Sequence, residues 1–484
     1  MTLKQKTISG LLWSFIDSIA GQGITFIVGI ILARLLGPKE FGLIGMLTIF
    51  IAISQSFIDS GFRQALIRKQ DCSQTDYSTV FYYNIIIAVL FYFLLFVLAR
   101  PISNFYHEPI LRDLIRVLGL SLIINSFTII QSTLLMKMID FKRQAKISVI
   151  ASFFSGIVSI YMAYNGWGVW SLVALTLVKF TLNSFLLWYW STWKPIWYFS
   201  SKSFKELFSF GSKLLVSGLI DTIYRNIYYL IIGKYFAAVE LGYYTRADQF
   251  QSLPSSNLQS VIGRVSYPVL TSIQDDIPRL RDSYIKLIRS TMLISFVLML
   301  GMAALARPMV LTLIGEKWEP CVIYLQMLCF IGMFYPLHAL NLDMLQVQGR
   351  SDLFLRLEII KKALAIPIII IGVFWGIKPM IFGMMANNLI AYYLNSYWSG
   401  RFIGYSFLEQ IKDILPSLML ALIMSSFVFA EGLILPLSPL PLLIIQLISG
   451  AALTLGMCEV FHLKDYIYIK DIVLGKILTK KNDG

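Results

Sequence analysis

Four polar side chains recur at every fourth residue of an otherwise apolar stretch near the middle of the chain. Lys213, Ser217, Asp221 and Arg225 lie within residues 207–233, and their spacing places them on one face of a helix. A charge at the centre of a membrane helix costs about 3 kcal/mol, so these groups must face protein or water. Two cations on one face would attract an anion. Alternatively, Asp221 and Arg225 form a structural pair that neutralises itself.

The next stretch, residues 241–270, is too polar to face lipid on any side, and Pro254 predicts a bend in its helix. Five of its polar side chains follow a spacing of three and four residues, namely Arg246, Gln249, Asn257, Ser260 and Arg264, and Asp248 and Gln251 flank them. Weaker versions of the pattern occupy the first two apolar stretches, at Asp17, Gln55, Asp59 and Arg63.

Together these residues predict a hydrated cavity with a net positive charge. The predicted substrate-binding residues are Lys213, Arg225, Arg246, Arg264, Gln249, Asn257, Gln55 and Arg63. Four carboxylates are candidates for coupling transport to an ion: Asp17, Asp59, Asp221 and Asp248. Like Asp221 with Arg225, Asp59 with Arg63 could instead be a structural pair.

Signatures of catalysis are missing from the sequence. It holds no GxxxxGK[ST] loop, no CxxC or HxxxH spacing, and no recognisable nucleophile with its base. We therefore predict a transporter rather than an enzyme, with no cofactor and no metal.

The elements that carry these residues are predicted to be membrane helices. Of the 484 residues, 57% are hydrophobic and only 14% are charged, which excludes an ordinary soluble domain. Apolar runs long enough to cross a bilayer recur along the whole chain and predict an all-α polytopic membrane protein with about 14 transmembrane helices. The net charge of +14 resides in short loops and does not indicate nucleic-acid binding. Most of the 41 Lys and Arg residues fall in loops on the side of the N-terminus, which predicts that both termini are cytoplasmic.

The chain also repeats itself. ILARLLGPKEFG (31–42) matches IIGKYFAAVELG (231–242), LARPI (98–102) matches LARPM (305–309), and later loops match in the same order. Each half holds six spans and enters the membrane in the same direction, so we expect two six-helix bundles related by a pseudo-two-fold axis along the membrane normal. The predicted parts are an N-terminal lobe (1–205), a C-terminal lobe (206–405), two extra helices (406–463) and a basic cytoplasmic tail (464–484).

Several segments resemble one family. TISGLLWSFID (7–17), ILARLLGPKEFGLIG (31–45), IGRVSYPVLTSIQDDIPRLRDSY (262–284) and GEKWEP (315–320) are similar to the polysaccharide exporters of the MOP flippase superfamily, in the group of colanic-acid and teichuronic-acid exporters. The resemblance covers nearly the whole chain. Within the third segment, the run Gln274, Asp275 and Asp276 lies in a cytoplasmic loop, where it is expected to cap a helix.

This resemblance implies a substrate and a location. Family members flip polyprenyl-diphosphate-linked oligosaccharides across the bacterial inner membrane by alternating access. A cationic cavity suits a diphosphate, because Arg and Lys bind phosphate strongly in a dry setting. The implied partners are that lipid-linked oligosaccharide and membrane lipids. A polysaccharide polymerase, a chain-length regulator, and Na⁺ or H⁺ as the coupling ion are further candidates.

Two other functions remain open at this point. An ion-coupled exporter of small molecules shares the superfold, but a cationic cavity would repel the organic cations that such exporters carry. A membrane-embedded glycan polymerase or ligase would need a long outer loop with catalytic Arg or His residues. The longest outer segments here are short.

Overall fold

The computed structural model describes residues 20–463, 465–467 and 470, with the side chains of residues 261, 264 and 265 excepted. These residues are almost entirely helical, and they contain no strand. The first ten helices are α1 (Ala20–Leu35), α2 (Pro38–Asp59), α3 (Phe62–Arg68), α4 (Gln74–Tyr106), α5 (Leu111–Leu118), α6 (Leu120–Ser126), α7 (Ile129–Lys137), α8 (Phe141–Tyr164), α9 (Trp170–Trp190) and α10 (Ser201–Tyr235).

The remaining helices are again either long single helices or shorter helices that follow one another directly. They are α11 (Ala238–Ser272), α12 (Ile277–Ile314), α13 (Cys321–Gly332), α14 (Tyr335–Val347), α15 (Ser351–Ala363), α16 (Ala365–Trp375), α17 (Ile377–Ile403), α18 (Phe407–Ile434) and α19 (Pro439–Val460). A short 3₁₀ turn, Glu316–Trp318, precedes α13.

Local sequence explains where several helices begin. Ser73 and Asp76 form a capping box at the start of α4, and Ser406 and Glu409 form another at the start of α18. Asp276 caps α12 by accepting a hydrogen bond from the backbone N–H of Arg279 at 3.1 Å. The predicted capping role of the Gln-Asp-Asp run is therefore confirmed at its last residue.

Among the described residues, the predicted spans coincide with helices or with runs of consecutive helices. Within the described part of the chain, nine of these helices or helix runs are long and apolar enough to cross a membrane. The other five are α1, of which residues 20–35 are described, α10, α11, α15 with α16, and α17. The polar stripes explain why α10 and α11 fall below the hydropathy of an ordinary span. The chain is a multi-pass membrane protein.

Two compact helical units divide the chain, Met1–Gly242 and Tyr243–Gly484. In the first unit α10 packs along α2 and also contacts α3 and α4, while α8 packs on α9. In the second unit α12 packs against α13, α18 and α19, and α14 packs against α17. The two helices predicted to lie outside the repeat, α18 and α19, thus lie directly against α12.

Candidate functional site

In the first unit, the polar stripe of α10 is held beside α2. The two helices run along each other, and the hydroxyls of Ser56 and Thr222 lie 3.1 Å apart between them. Gln55 and Asp59 belong to this part of α2, and both are half-buried. Packing of α10 against α2 therefore brings together polar residues that are far apart in the sequence.

A break between α2 and α3 positions the charged residues at the end of α2. Ser60 and Gly61 both adopt left-handed backbone angles, with φ of 45° and 69°. A Cβ on Gly61 would lie 2.6 Å from the carbonyl oxygen of Gly211 in α10, so only glycine allows this close approach. Asp59 precedes the break and Arg63 follows it. Within the described part of the chain, Asp59 Oδ1 and Arg63 Nε are buried without a hydrogen-bond partner.

The α10 cations are accessible. Lys213 and Arg225 are exposed, whereas Asp221 is half-buried and takes part in an interaction of its own. Among the described residues, neither Lys213 nor Arg225 forms an ion pair, and Arg63 forms none with Asp59. The i, i+4 spacing alone does not bring these charges together. Lys213 and Arg225 are therefore exposed charges that no carboxylate of the described residues neutralises.

The predicted residues of α11 have a different environment. Arg246 is only 5% exposed, and its guanidinium donates to Gln249 Oε1 at 2.5 Å. It also lies 5.9 Å from the ring of Trp318, in the 3₁₀ turn before α13. A cation packed in this way contributes to the interior of the second unit.

Four further predicted positions complete the set. Asp248 is half-buried, and Asn257 donates its side-chain amide to the carbonyl oxygen of Leu253 at 2.9 Å. Arg264 lies in α11, but its side chain falls outside the described part of the structure. Asp17 lies outside the described residues altogether.

Other charges in the second unit are paired between helices. Arg281 of α12 contacts Glu409 of α18 at 3.0 Å, and Arg289 contacts Asp413 of the same helix. Tyr405 donates its hydroxyl to Asp413 Oδ2 at 2.6 Å. These contacts join α12 to α18. They also neutralise Arg281 and Arg289 within the second unit.

Sequence reasoning did not single out Lys179, near the middle of α9. Its amino group lies 3.4 Å from the hydroxyl of Thr25 in α1, so it ties these two helices of the first unit together. A lone lysine inside an apolar run is the signal that could have found it.

The architecture and the polar α10 define a class: a polytopic helical transporter with two bundles. Residues 31–323 match the family described as "Polysaccharide biosynthesis protein", and the chain belongs to that family.

Similar proteins include the lipopolysaccharide biosynthesis protein WzxC of Escherichia coli (strain K12), which is 26% identical over 77% of this chain and 76% of its own length. The teichuronic acid biosynthesis protein TuaB of Bacillus subtilis (strain 168) is 28% identical over 73% of each chain. Among solved structures, the lipid II flippase MurJ in an inward closed conformation has a TM-score of 0.76 at 16% identity and covers 95% of this chain and 100% of its own. The last comparison establishes the fold.

Proposed function

We propose that this protein is a flippase that moves a polyprenyl-diphosphate-linked oligosaccharide from the cytoplasmic to the outer leaflet of the bacterial inner membrane. The observation that carries the proposal is the pair of exposed cations on α10, Lys213 and Arg225, which form no ion pair among the described residues. A diphosphate offers the anionic oxygens that Arg and Lys bind best. The family, and relatives named for lipopolysaccharide and teichuronic acid biosynthesis, support a glycan attached to that diphosphate.

The proposed mechanism is alternating access between two lobes, residues 1–205 and 206–405, with both termini in the cytoplasm. Lys213 and Arg225 would hold the diphosphate, while Gln55, Gln249 and Asn257 would offer hydrogen bonds to sugar hydroxyls. Arg246 is buried here, so it would reach substrate only in another conformation. The internal duplication supports this arrangement, because parallel repeats place a substrate site where they face each other.

Ion coupling is proposed to involve Asp59 first. Its Oδ1 atom is buried without a hydrogen-bond partner in the described structure, and a proton or Na⁺ would satisfy it. Asp17, Asp221 and Asp248 are the other proposed coupling residues. We propose no catalytic role for the chain, so a polymerase and a chain-length regulator would act on the glycan after its release.

Deleting the gene and locating lipid-linked glycans on each face of the inner membrane tests the function. The proposal expects completed units to accumulate on the cytoplasmic face, with surface polysaccharide lost. Restoring the wild-type gene should reverse both effects. If units instead reach the outer face and remain unpolymerised, the chain is a polymerase or ligase and the flippase proposal is wrong.

A further inference from the structure

Residues 191–200, between α9 and α10, form a connector that is fastened to the side of α4. The backbone N–H of Ile196 donates to the hydroxyl of Ser78 at 3.0 Å. The backbone N–H of Ser200 donates to the hydroxyl of Thr79, one residue further along α4, at 3.1 Å. These hydrogen bonds hold the connector at a fixed place beside the first turns of α4.

The two tryptophans of the connector have opposite environments. Trp193 is half-buried, and its ring packs edge-on against Tyr77 of α4, with 6.4 Å between the ring centroids. Trp197 is 95% exposed, and its ring is stacked on Tyr82 of α4 at 5.8 Å, with 26° between the ring planes. Trp197 is therefore an outward-facing aromatic side chain that rests on a membrane helix.

Lysines and aromatic residues are interleaved around Trp197. We name as the basic aromatic surface six exposed side chains: Lys194, Trp197, Tyr198, Phe199, Lys202 and Lys205. Residues 191–205 contain no Asp or Glu. The next residue, Glu206, contacts Lys69 instead, and none of the three lysines of the surface forms an ion pair with another described residue. The surface therefore offers three uncompensated cations beside apolar rings.

The length of α4 gives the depth of this surface in a bilayer. This helix has 33 residues and is about 50 Å long, whereas the hydrocarbon core is about 30 Å thick, so a centred α4 projects by about 10 Å at each end. Ser78 and Thr79 lie about 6–8 Å from the first residue of α4, and Tyr82 lies about 12 Å from it. Trp197 on Tyr82 is thus at the boundary between headgroups and hydrocarbon, where Trp and Tyr are enriched.

We propose that the basic aromatic surface binds the headgroup of an anionic phospholipid in the leaflet that α4 enters first. Trp197 lies against the glycerol and the upper acyl chains, and the three lysines contact the phosphate. Depth favours a lipid over an acidic soluble protein, because a ring stacked on Tyr82 lies within the bilayer. The site concerns the surrounding membrane and not the transported molecule, so the gene deletion tests the flippase proposal alone.

Quenching of tryptophan fluorescence by brominated phospholipids tests the site on the purified full-length protein in phosphatidylcholine nanodiscs. The difference between wild type and Trp197→Phe isolates the signal of Trp197. Part of the lipid is replaced by phosphatidylglycerol or phosphatidylcholine that is brominated near the glycerol. One lysine at an anionic membrane surface favours binding about fivefold. Half-quenching of the Trp197 signal should therefore need about fivefold less brominated phosphatidylglycerol than brominated phosphatidylcholine, or less still.

The contribution of the lysines is measured against a charge-matched control. The test variant replaces the lysines of the surface by glutamine: Lys194→Gln, Lys202→Gln and Lys205→Gln. Its preference for phosphatidylglycerol should fall to within about twofold, because the local charge is gone. The control variant replaces three exposed lysines elsewhere: Lys146→Gln, Lys286→Gln and Lys412→Gln. It should keep the preference of wild type. All six side chains are exposed, so the thermal midpoint should stay near wild type and verifies folding.

Three results would overturn the proposed site. If neither brominated lipid quenches the Trp197 signal, the surface lies outside the bilayer and fits an acidic protein instead. If both lipids quench it equally in wild type, Trp197 touches lipid without selecting its charge, and this comparison needs no lysine variant. If the control variant loses as much preference as the test variant, the net charge of the protein attracts the anionic lipid, and not this surface.

Discussion

The cations of α10 and those of α12 occupy long helices of similar length but have different neighbours. Arg281 and Arg289 of α12 each contact a carboxylate of α18. Among the described residues, Lys213 and Arg225 of α10 form no ion pair and are exposed. Arg281 and Arg289 are neutralised within the protein, whereas Lys213 and Arg225 need water or an anionic ligand. Pairing, rather than the presence of a cation, separates a structural charge from a binding one.

The largest effect on translocation is expected from reversing both exposed charges of α10, in the double variant Lys213→Glu with Arg225→Glu. Each lost contact with a diphosphate would cost about 1.5–3 kcal/mol, so translocation in reconstituted vesicles should fall about a hundredfold or more. Both side chains are exposed, so membrane level and thermal midpoint should stay near wild type. Normal translocation by this variant would remove α10 from the proposed site.

For a paired cation of α12 we expect the opposite outcome, which is a loss of stability without a loss of translocation. Arg289→Met leaves Asp413 with Tyr405 alone, and it should lower the free energy of unfolding by about 2 kcal/mol, less than for a fully buried pair because the arginine is partly exposed. Translocation per folded molecule should remain near wild type. Arg289→Met with Asp413→Leu should recover part of the stability, measured by thermal unfolding in detergent. A stable Arg289→Met chain that loses translocation would break the comparison.

A smaller effect is expected where α10 meets the break between α2 and α3. A Cβ on Gly211 would lie 2.5 Å from the carbonyl oxygen of Ser60, so Gly211→Ala should lower the free energy of unfolding by about 1–2 kcal/mol through overpacking. The matched control is Gly218→Ala in the same helix, where nothing lies within 4 Å of a Cβ. Thermal unfolding of the two variants measures the difference. Equal stabilities would show that the close approach does not hold α10 in place.

The smallest effect on stability is expected at the exposed ion pair of Arg350 with Asp352, which lies outside the predicted membrane spans. Arg350 donates two hydrogen bonds to Asp352, at 2.9 and 2.8 Å, and lowers the pKa of that carboxyl to about 2. A lowered pKa stabilises the fold above the ordinary carboxyl pKa, and the contribution disappears as the pH falls towards 2. Because the pair is exposed, Asp352→Asn should leave the thermal midpoint unchanged at pH 7. A clear drop would mean that surface pairs matter here as much as pairs between helices.

The fold was largely readable from the sequence because its signals are local or repeated. Apolar runs located most of the membrane helices among the described residues, and the Gln-Asp-Asp run marked the start of α12. The breaks inside helix runs, such as that at Ser60 and Gly61, were not predicted. The break at Ser60 and Gly61 packs against Gly211, which lies in a distant part of the sequence.

The candidate site could be predicted only in part, because it too depends on contacts between residues that are far apart in the sequence. Helical spacing grouped Arg225 with Arg246 as cavity cations, yet Arg225 is exposed and Arg246 is buried against Gln249 and near Trp318. Spacing tells which residues share a face of one helix, but not what lies opposite that face. The partner of each charge is a tertiary fact, and it decides which cations can bind a ligand.

Binding of a polyprenyl-diphosphate-linked oligosaccharide to the purified full-length protein tests the central claim most directly. The variant Lys213→Gln with Arg225→Gln should weaken the Kd about tenfold or more, because it removes two charges that no carboxylate of the described chain neutralises. Arg281→Gln, which removes a paired cation from α12, should leave the Kd within about twofold of wild type. Equal affinities for wild type and the double variant, or an equal loss in Arg281→Gln, would contradict the account.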